Sequence, residues 1–419
     1  MDSKPFCVLQ VKPVPRGTDA FEAKRADILQ AFSEKVPHAY FLSKDIINNA
    51  PPDVSNIPVT CGISIASRKF TAVSVATAFS KRAIIAHQLT CCLTQWFMAE
   101  AIEQAAHLDA HLDATGKTVG PLHGVPVSIK EHIPIAGKPS SAGCLGSIAI
   151  DSEDCQMTAI LRSMGAVFYC KTNQPQTIMH LESDSLGGRV LNPFNTRLSA
   201  GGSTGGEAAL IAMKGSVLGA RKLLSNPKYA GVVEVRSFKP FGAADAWSKI
   251  RRTYWPDGGQ GARDEIVATG DPLHPLSEWI WKDAEPHGML TAQDVALMRR
   301  DRDDFRIKFA RSWAEQDVDV VLGPAYIGPA CAHDTAFTWT YTSLYNFVDY
   351  PGVVFPTPIV TQRGEKYDAS YVPLSDACRE ARRLWDESDF EGAPINLQLV
   401  ARKYHDISSL GPWPSYRIS

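Results

Sequence analysis

The stretch Gly201-Gly202-Ser203-Thr204-Gly205-Gly206-Glu207-Ala208-Ala209-Leu210 constrains this chain most. Two glycine pairs bracket two hydroxyl side chains, and a helix-forming run follows. Glycine reaches positive φ without a Cβ clash and lets the backbone approach a neighbour or ligand closely. The helix predicted to begin here would aim its free N–H groups at the same loop. A plain glycine–serine turn is the alternative. A phosphate loop is not, because no Gly-Lys-Ser/Thr follows.

Upstream, Gly120-Pro121-Leu122-His123-Gly124-Val125-Pro126-Val127-Ser128-Ile129-Lys130-Glu131 places a lysine at the end of an apolar, strand-like run. Lys130 would act as a base near neutral pH only if burial lowered its pKa. A solvated lysine after a strand is the other reading. Cys155–Met164 reads as a short helix with Gly165 as its C-cap, followed by a buried strand at Ala166–Cys170. Strand, helix, strand in this order predicts an α/β architecture with a largely buried sheet. Earlier, Ala20–Lys35 reads as a helix stopped by Pro37, and Asn48–Pro52 as a loop. From Thr71 to about Asp113 the spacing of Val75, Phe79, Ala83, Ala86, Leu89, Leu93 and Phe97 is helical.

The lysine segment and the glycine loop, in this order, resemble the amidase signature family of serine hydrolases. So do Arg251–Gly259, Tyr341–Pro351 and Gly392–Val400, which are similar to late segments of fungal acetamidase-like members. The resemblance implies an α/β fold with a mixed β-sheet sandwiched between helices. It implies that Lys130 is the catalytic base and Ser203, on a cis peptide bond, a relay. It further implies substrate-binding roles for Gly202, Thr204, Gln176, Thr177 and Ile178. The substrate it implies is a small-molecule amide, with no cofactor and no metal.

The family continues with a Gly-Thr-Asp-Ile-Gly-Gly-Ser-Ile-Arg-like stretch that supplies the nucleophile and the oxyanion hole. Here Gly215-Ser216-Val217-Leu218-Gly219 runs on into Ala220-Arg221-Lys222-Leu223-Leu224-Ser225-Asn226-Pro227. Ser225 has no glycine pair before it to shape an oxyanion hole, and Ser216 lies in a scaffold-like segment. The fold is therefore expected to be shortened in its middle, by more than loop trimming removes. The expected layout is a mostly helical region at 1–70, an amidase-signature domain at 71–406 and a divergent tail at 407–419. Within the domain, 71–219 and 240–406 are family-like and the loss falls near 220–239. The hydrolase is expected to be impaired. The alternatives are a non-catalytic binding or partner protein derived from an amidase, or an unstable relic.

Composition narrows the classes further. The 419 residues are 44% hydrophobic and 21% charged, which is globular, with a net charge of −2 that offers nucleic acid no basic surface. Nine irregularly spaced cysteines suggest reduced thiols and a cytoplasmic setting. No apolar run is long enough to span a bilayer, and the N-terminus does not read as a signal peptide. Self-association is left open. His107 and His111 sit four apart on a helical stretch, but without the Glu of His-Glu-x-x-His they read as a solvated face. Cys91-Cys92 reads as core on a helix, and a cysteine hydrolase has no positive sign in the sequence.

Overall fold

The computed structural model describes residues 6–55, 70–216, 236–282 and 284–405. The chain forms two compact units. The first comprises Met1–Gly219, Ala262–Glu278 and Cys331–Ala336; the second comprises Ala220–Gly261, Trp279–Ala330 and Phe337–Ser419. The stretch read as one domain, 71–406, contributes to both.

In the first unit, α1 spans Asp19–Glu34, with the Thr18 hydroxyl capping the Phe21 N–H at 3.3 Å. Next comes α2, Ala72–Thr90, whose first N–H groups, on Ala72 and Val73, are bound by the Asp109 carboxylate at 2.7 and 3.0 Å. An anion at a helix N-terminus satisfies donors that have no partner within the helix. The stretch with helical spacing is then interrupted. Cys91 turns left-handed at φ 54° and its N–H closes on the His87 carbonyl. Leu93–Trp96 forms strand β1, and helix resumes as α3, Met98–Thr115. Leu89, Leu93 and Phe97 are all buried, so one apolar spacing runs through helix, strand and helix alike. Periodicity does not register the break because the same side of the chain stays inward throughout.

Strand β2, Pro126–Lys130, precedes α4, Gln156–Ser163, and β3, Val167–Thr172. These form a mixed three-stranded sheet in the order β1-β3-β2, with β3 antiparallel to β1 and parallel to β2. All six residues of β3 are buried. Val167 and Tyr169 enter one apolar cluster with α2 and α3, while Phe168 enters another with Ile129 and Ile135. Each face of the strand thus has its own cover, the requirement for a strand apolar along its whole length. Even Lys171 is fully buried, its ammonium donating to the Pro139 carbonyl at 2.8 Å and the Ser140 hydroxyl at 2.7 Å. Last in this unit is α5, Gly205–Ala212.

The second unit contains α6, Ala243–Tyr254; α7, Ala292–Glu315; β4, Val320–Pro324; α8, Thr340–Val348; β5, Gly352–Val360; and β6, Pro394–Ala401. Its sheet is antiparallel throughout, in the order β4-β6-β5. Ile250, Phe305, Phe309, Trp313, Leu344 and Phe347 form its core together with Val321 and Val400 from the sheet. Thr291 and Asp294 cap the start of α7 reciprocally. No described helix is long and apolar enough to cross a membrane.

Candidate active site

Side chains alternate along β2. Val127 and Ile129 face the apolar cluster that holds Phe168, and Ser128 and Lys130 take the opposite face. Lys130 closes the strand opposite Thr172 of β3. Among the described residues β2 pairs with β3 alone. Its ammonium donates to the Ser203 hydroxyl at 2.7 Å and lies 3.4 Å from that of Thr204. Burial pushes the Lys130 pKa down from 10.5 to about 8. Loss of water disfavours the charged form, and among the described residues no carboxylate pairs with Lys130 to oppose that.

The glycine loop presents the two hydroxyls. A Cβ on Gly202 would lie 2.4 Å from the His180 carbonyl oxygen, so only glycine fits there. The Gly202–Ser203 peptide is cis. Beyond the loop, the Gly205 N–H donates to the Ser183 hydroxyl at 2.9 Å and the Gly206 N–H to the Asn173 carbonyl at 3.2 Å. Gly206 meets Asn173 backbone so closely that a Cβ would stand 2.5 Å away. The start of α5 is thereby clamped against the segment that leaves β3. Ser203 is half-buried and Thr204 is exposed.

Two residues join the site that sequence reasoning did not single out. Glu207, in the first turn of α5, accepts from the Ser128 hydroxyl at 2.6 Å, and Ser128 also lies 3.1 Å from the Ser216 hydroxyl. Burial raises the Glu207 pKa above the usual carboxylate range. The signal was present: Ser128 precedes Lys130 by two in a strand, which is the same face, and Glu207 is the acidic residue of a helix's first turn.

Gln176 is buried and committed to its own unit. Its amide oxygen accepts from the His274 N–H at 2.9 Å and the Ser277 hydroxyl at 3.2 Å, and its amide nitrogen donates to the Pro272 carbonyl at 2.8 Å. Thr177 and Ile178 follow in the left-handed region, at φ 59° and 69°. Among the described residues, no hydrogen bond links Gln176, Thr177 or Ile178 to Lys130, Ser203 or Thr204. The structure brings together Lys130, Ser203 and Thr204 by hydrogen bonds, and Gly202 packs against His180 and Leu181, just past Ile178 in the loop that carries Gln176, Thr177 and Ile178.

Other candidates resolve on their surroundings. Ser225 lies outside the described residues. His107 and His111 are exposed on α3. Cys91 and Cys92 sit just past the end of α2 rather than on it, and burial pushes their thiols up to about 12, far from a reactive thiolate. Asp184, His274 and Asp334 stand close enough to share a metal ion. Arg189 already fills that position, its guanidinium reaching Asp184 at 2.8 Å and Asp334 at 2.7 Å.

Comparison with known proteins places the chain in a family. The amidase family model matches residues 74–220 and 274–410 and is interrupted between them. A putative amidase of Schizosaccharomyces pombe is 31% identical over 498 aligned positions, covering 87% of this chain and 92% of the relative. That alignment is longer than the 419-residue chain, so it includes gaps opposite residues that this chain lacks. An acetamidase of Emericella nidulans is 42% identical over 472 positions, covering 83% and 86% of the two chains. Among solved structures, a fatty acid amide hydrolase superposes with a TM-score of 0.80 at 25% identity, covering 93% of each chain. A peptide amidase from Stenotrophomonas maltophilia superposes at 0.54 with 14% identity, covering 82% and 92%, a likeness of fold alone.

Proposed function

The chain belongs to the amidase family, and from the pairing of Lys130 with Ser203 we propose that it derives from a hydrolase of carboxylic amides and is impaired or inactive toward them. The observation that carries this is the 2.7 Å contact between the Lys130 amine and the Ser203 hydroxyl, with the amine's pKa drawn to about 8. An amine that is neutral part of the time near pH 7 can accept a proton. In the family's mechanism Lys130 takes the Ser203 proton, and Ser203 draws one from a nucleophilic serine. That serine attacks the amide carbon and expels ammonia or an amine. Gly202 lets the backbone seat this loop, and Thr204 lines the approach to it. Gln176 acts by holding Thr177 and Ile178 in place beside the acyl group. The role of the 71–406 region as one catalytic domain belongs to the same reading.

The serine that should precede Ser203 in this relay has no counterpart in the sequence. Losing it removes the oxyanion donors of the same segment, each worth about 10²–10³ in rate. Impaired turnover follows. The second reading, a non-catalytic binding or partner protein, is favoured by the interruption of the family match between residues 220 and 274.

Ammonia release from a panel of simple amides, run beside Lys130→Met, tests both. Turnover at the level of an intact amidase, abolished in Lys130→Met, would overturn the impairment. Amide binding without turnover would favour the binding reading.

A further inference from the structure

We propose that Ser203 is itself the acyl acceptor of this chain, and that Ser203 and Lys130 form a two-residue nucleophile toward activated esters. This rests on the reading of Lys130 as a base and changes the role of Ser203 from relay to acceptor.

The geometry needs no third residue. The Lys130 amine touches the Ser203 hydroxyl directly at 2.7 Å, and Ser203 is a half-buried residue next to the exposed Thr204. Thr204 is more exposed but stands 3.4 Å from the amine and carries a branched, secondary hydroxyl. The other hydroxyls nearby, on Ser128 and Ser216, are engaged with Glu207. A nucleophile hydrogen-bonded to its base is the arrangement that activates serine.

The steps balance. Neutral Lys130 takes the hydroxyl proton as the Ser203 Oγ bonds to the ester carbonyl carbon. The adduct collapses, the ester C–O bond breaks, and the leaving alcohol or phenol takes the proton from Lys130. Water then attacks the acyl-serine and gives a proton to Lys130. The carboxylic acid departs, and Ser203 recovers its proton.

The same geometry selects the substrate class. The first N–H groups of α5, on Gly205 and Gly206, are already bound to Ser183 and Asn173 and cannot hold the oxyanion. With these two donors taken, esters with good leaving groups, such as phenyl esters, are the substrates within reach. Amides are not.

The test uses the full chain with a fluorophosphonate and with p-nitrophenyl acetate. The adduct is mapped by peptide mass spectrometry, and a denatured control checks that labelling needs the fold. The expected adduct is on Ser203, with ester hydrolysis falling about 10²-fold or more in Ser203→Ala and in Lys130→Met, and unchanged in Ser163→Ala, at the exposed end of α4. The rate should rise with pH through a midpoint near 8. An adduct on Thr204 or any other residue overturns the acceptor role of Ser203. So does a folded chain that takes no label. The base reading is judged separately, by titrating the acylation of Lys130 with a water-soluble amine reagent. A midpoint near 8 sustains it whatever the serine does, and one near the ordinary 10.5 sinks it.

Discussion

The two three-stranded sheets match in size and differ in cover. In the first unit every residue of β3 is buried, with a separate apolar cluster on each face. In the second, β6 brings Val400 opposite Val321 on the face that meets the core, and Leu399 opposite Leu322 on the other. Leu322 is 52% exposed, and Val354 and Ile359 of β5 are 55% and 65% exposed. Strand patterning is satisfied in both, but only the first converts both faces into burial. Buried apolar surface contributes about 25 cal/mol per Å². The sheet that carries Lys130 is thus the one whose side chains have least freedom to move, which suits a lysine and a serine that must stay in contact.

The largest expected effect tests that difference in the middle of β3. Phe168→Ala should cost about 3–5 kcal/mol, read as a drop in the urea midpoint. Val354→Ala, on the outer strand β5 of the second sheet, should change stability by no more than about 0.5 kcal/mol. Equal losses would erase the contrast between the sheets.

Glycines sharpen it next. Gly202→Ala drives a Cβ into the His180 backbone and should cost about 3 kcal/mol. At Gly323 of β4 a Cβ meets nothing within 4 Å, so Gly323→Ala should be neutral or stabilise by about 0.5 kcal/mol. Thermal melts of the two variants would decide, and a stable Gly202→Ala would contradict the packing described for the loop.

Lys130 offers a smaller effect with a pH signature. Its folded pKa of about 8 lies below the ordinary 10.5, so the folded state binds the proton less tightly than the unfolded chain. Stability is therefore reduced in full below about pH 8, and the penalty fades as pH rises from about 8 to 10.5. Lys130→Met should stabilise the fold at pH 7 by about 2 kcal/mol, less whatever the lost hydrogen bond contributed. The gain should shrink at pH 10. A gain independent of pH would show that desolvation of the amine is not its source.

The smallest effect concerns the open face of the second sheet. Leu322→Lys should leave stability within about 0.5 kcal/mol and reduce dye binding to exposed apolar surface. A large loss of stability would mean that this face is covered in solution.

Much of the first unit was legible. Val125–Ile129 and Ala166–Cys170 read as strands and lie within one or two residues of β2 and β3. Gly165, read as a C-cap, is left-handed at φ 92° just past α4. These features are local, carried by a branched apolar run or a glycine at a helix end. The break at Cys91 was not legible, because the apolar spacing on either side is the same. Nor was the commitment of Gln176 to Pro272, His274 and Ser277, residues far along the chain from it.

By itself the sequence determined which residues could do chemistry: a lysine closing a strand and hydroxyls between glycines, residue types whose reactivity and backbone freedom are intrinsic. Only the tertiary structure decided that these would meet. The contact of Lys130 with Ser203 spans 73 residues, and the shift of the lysine's pKa comes from burial that no local pattern encodes. Desolvation is a property of the packed surroundings, and those surroundings come from strands and helices distant in sequence.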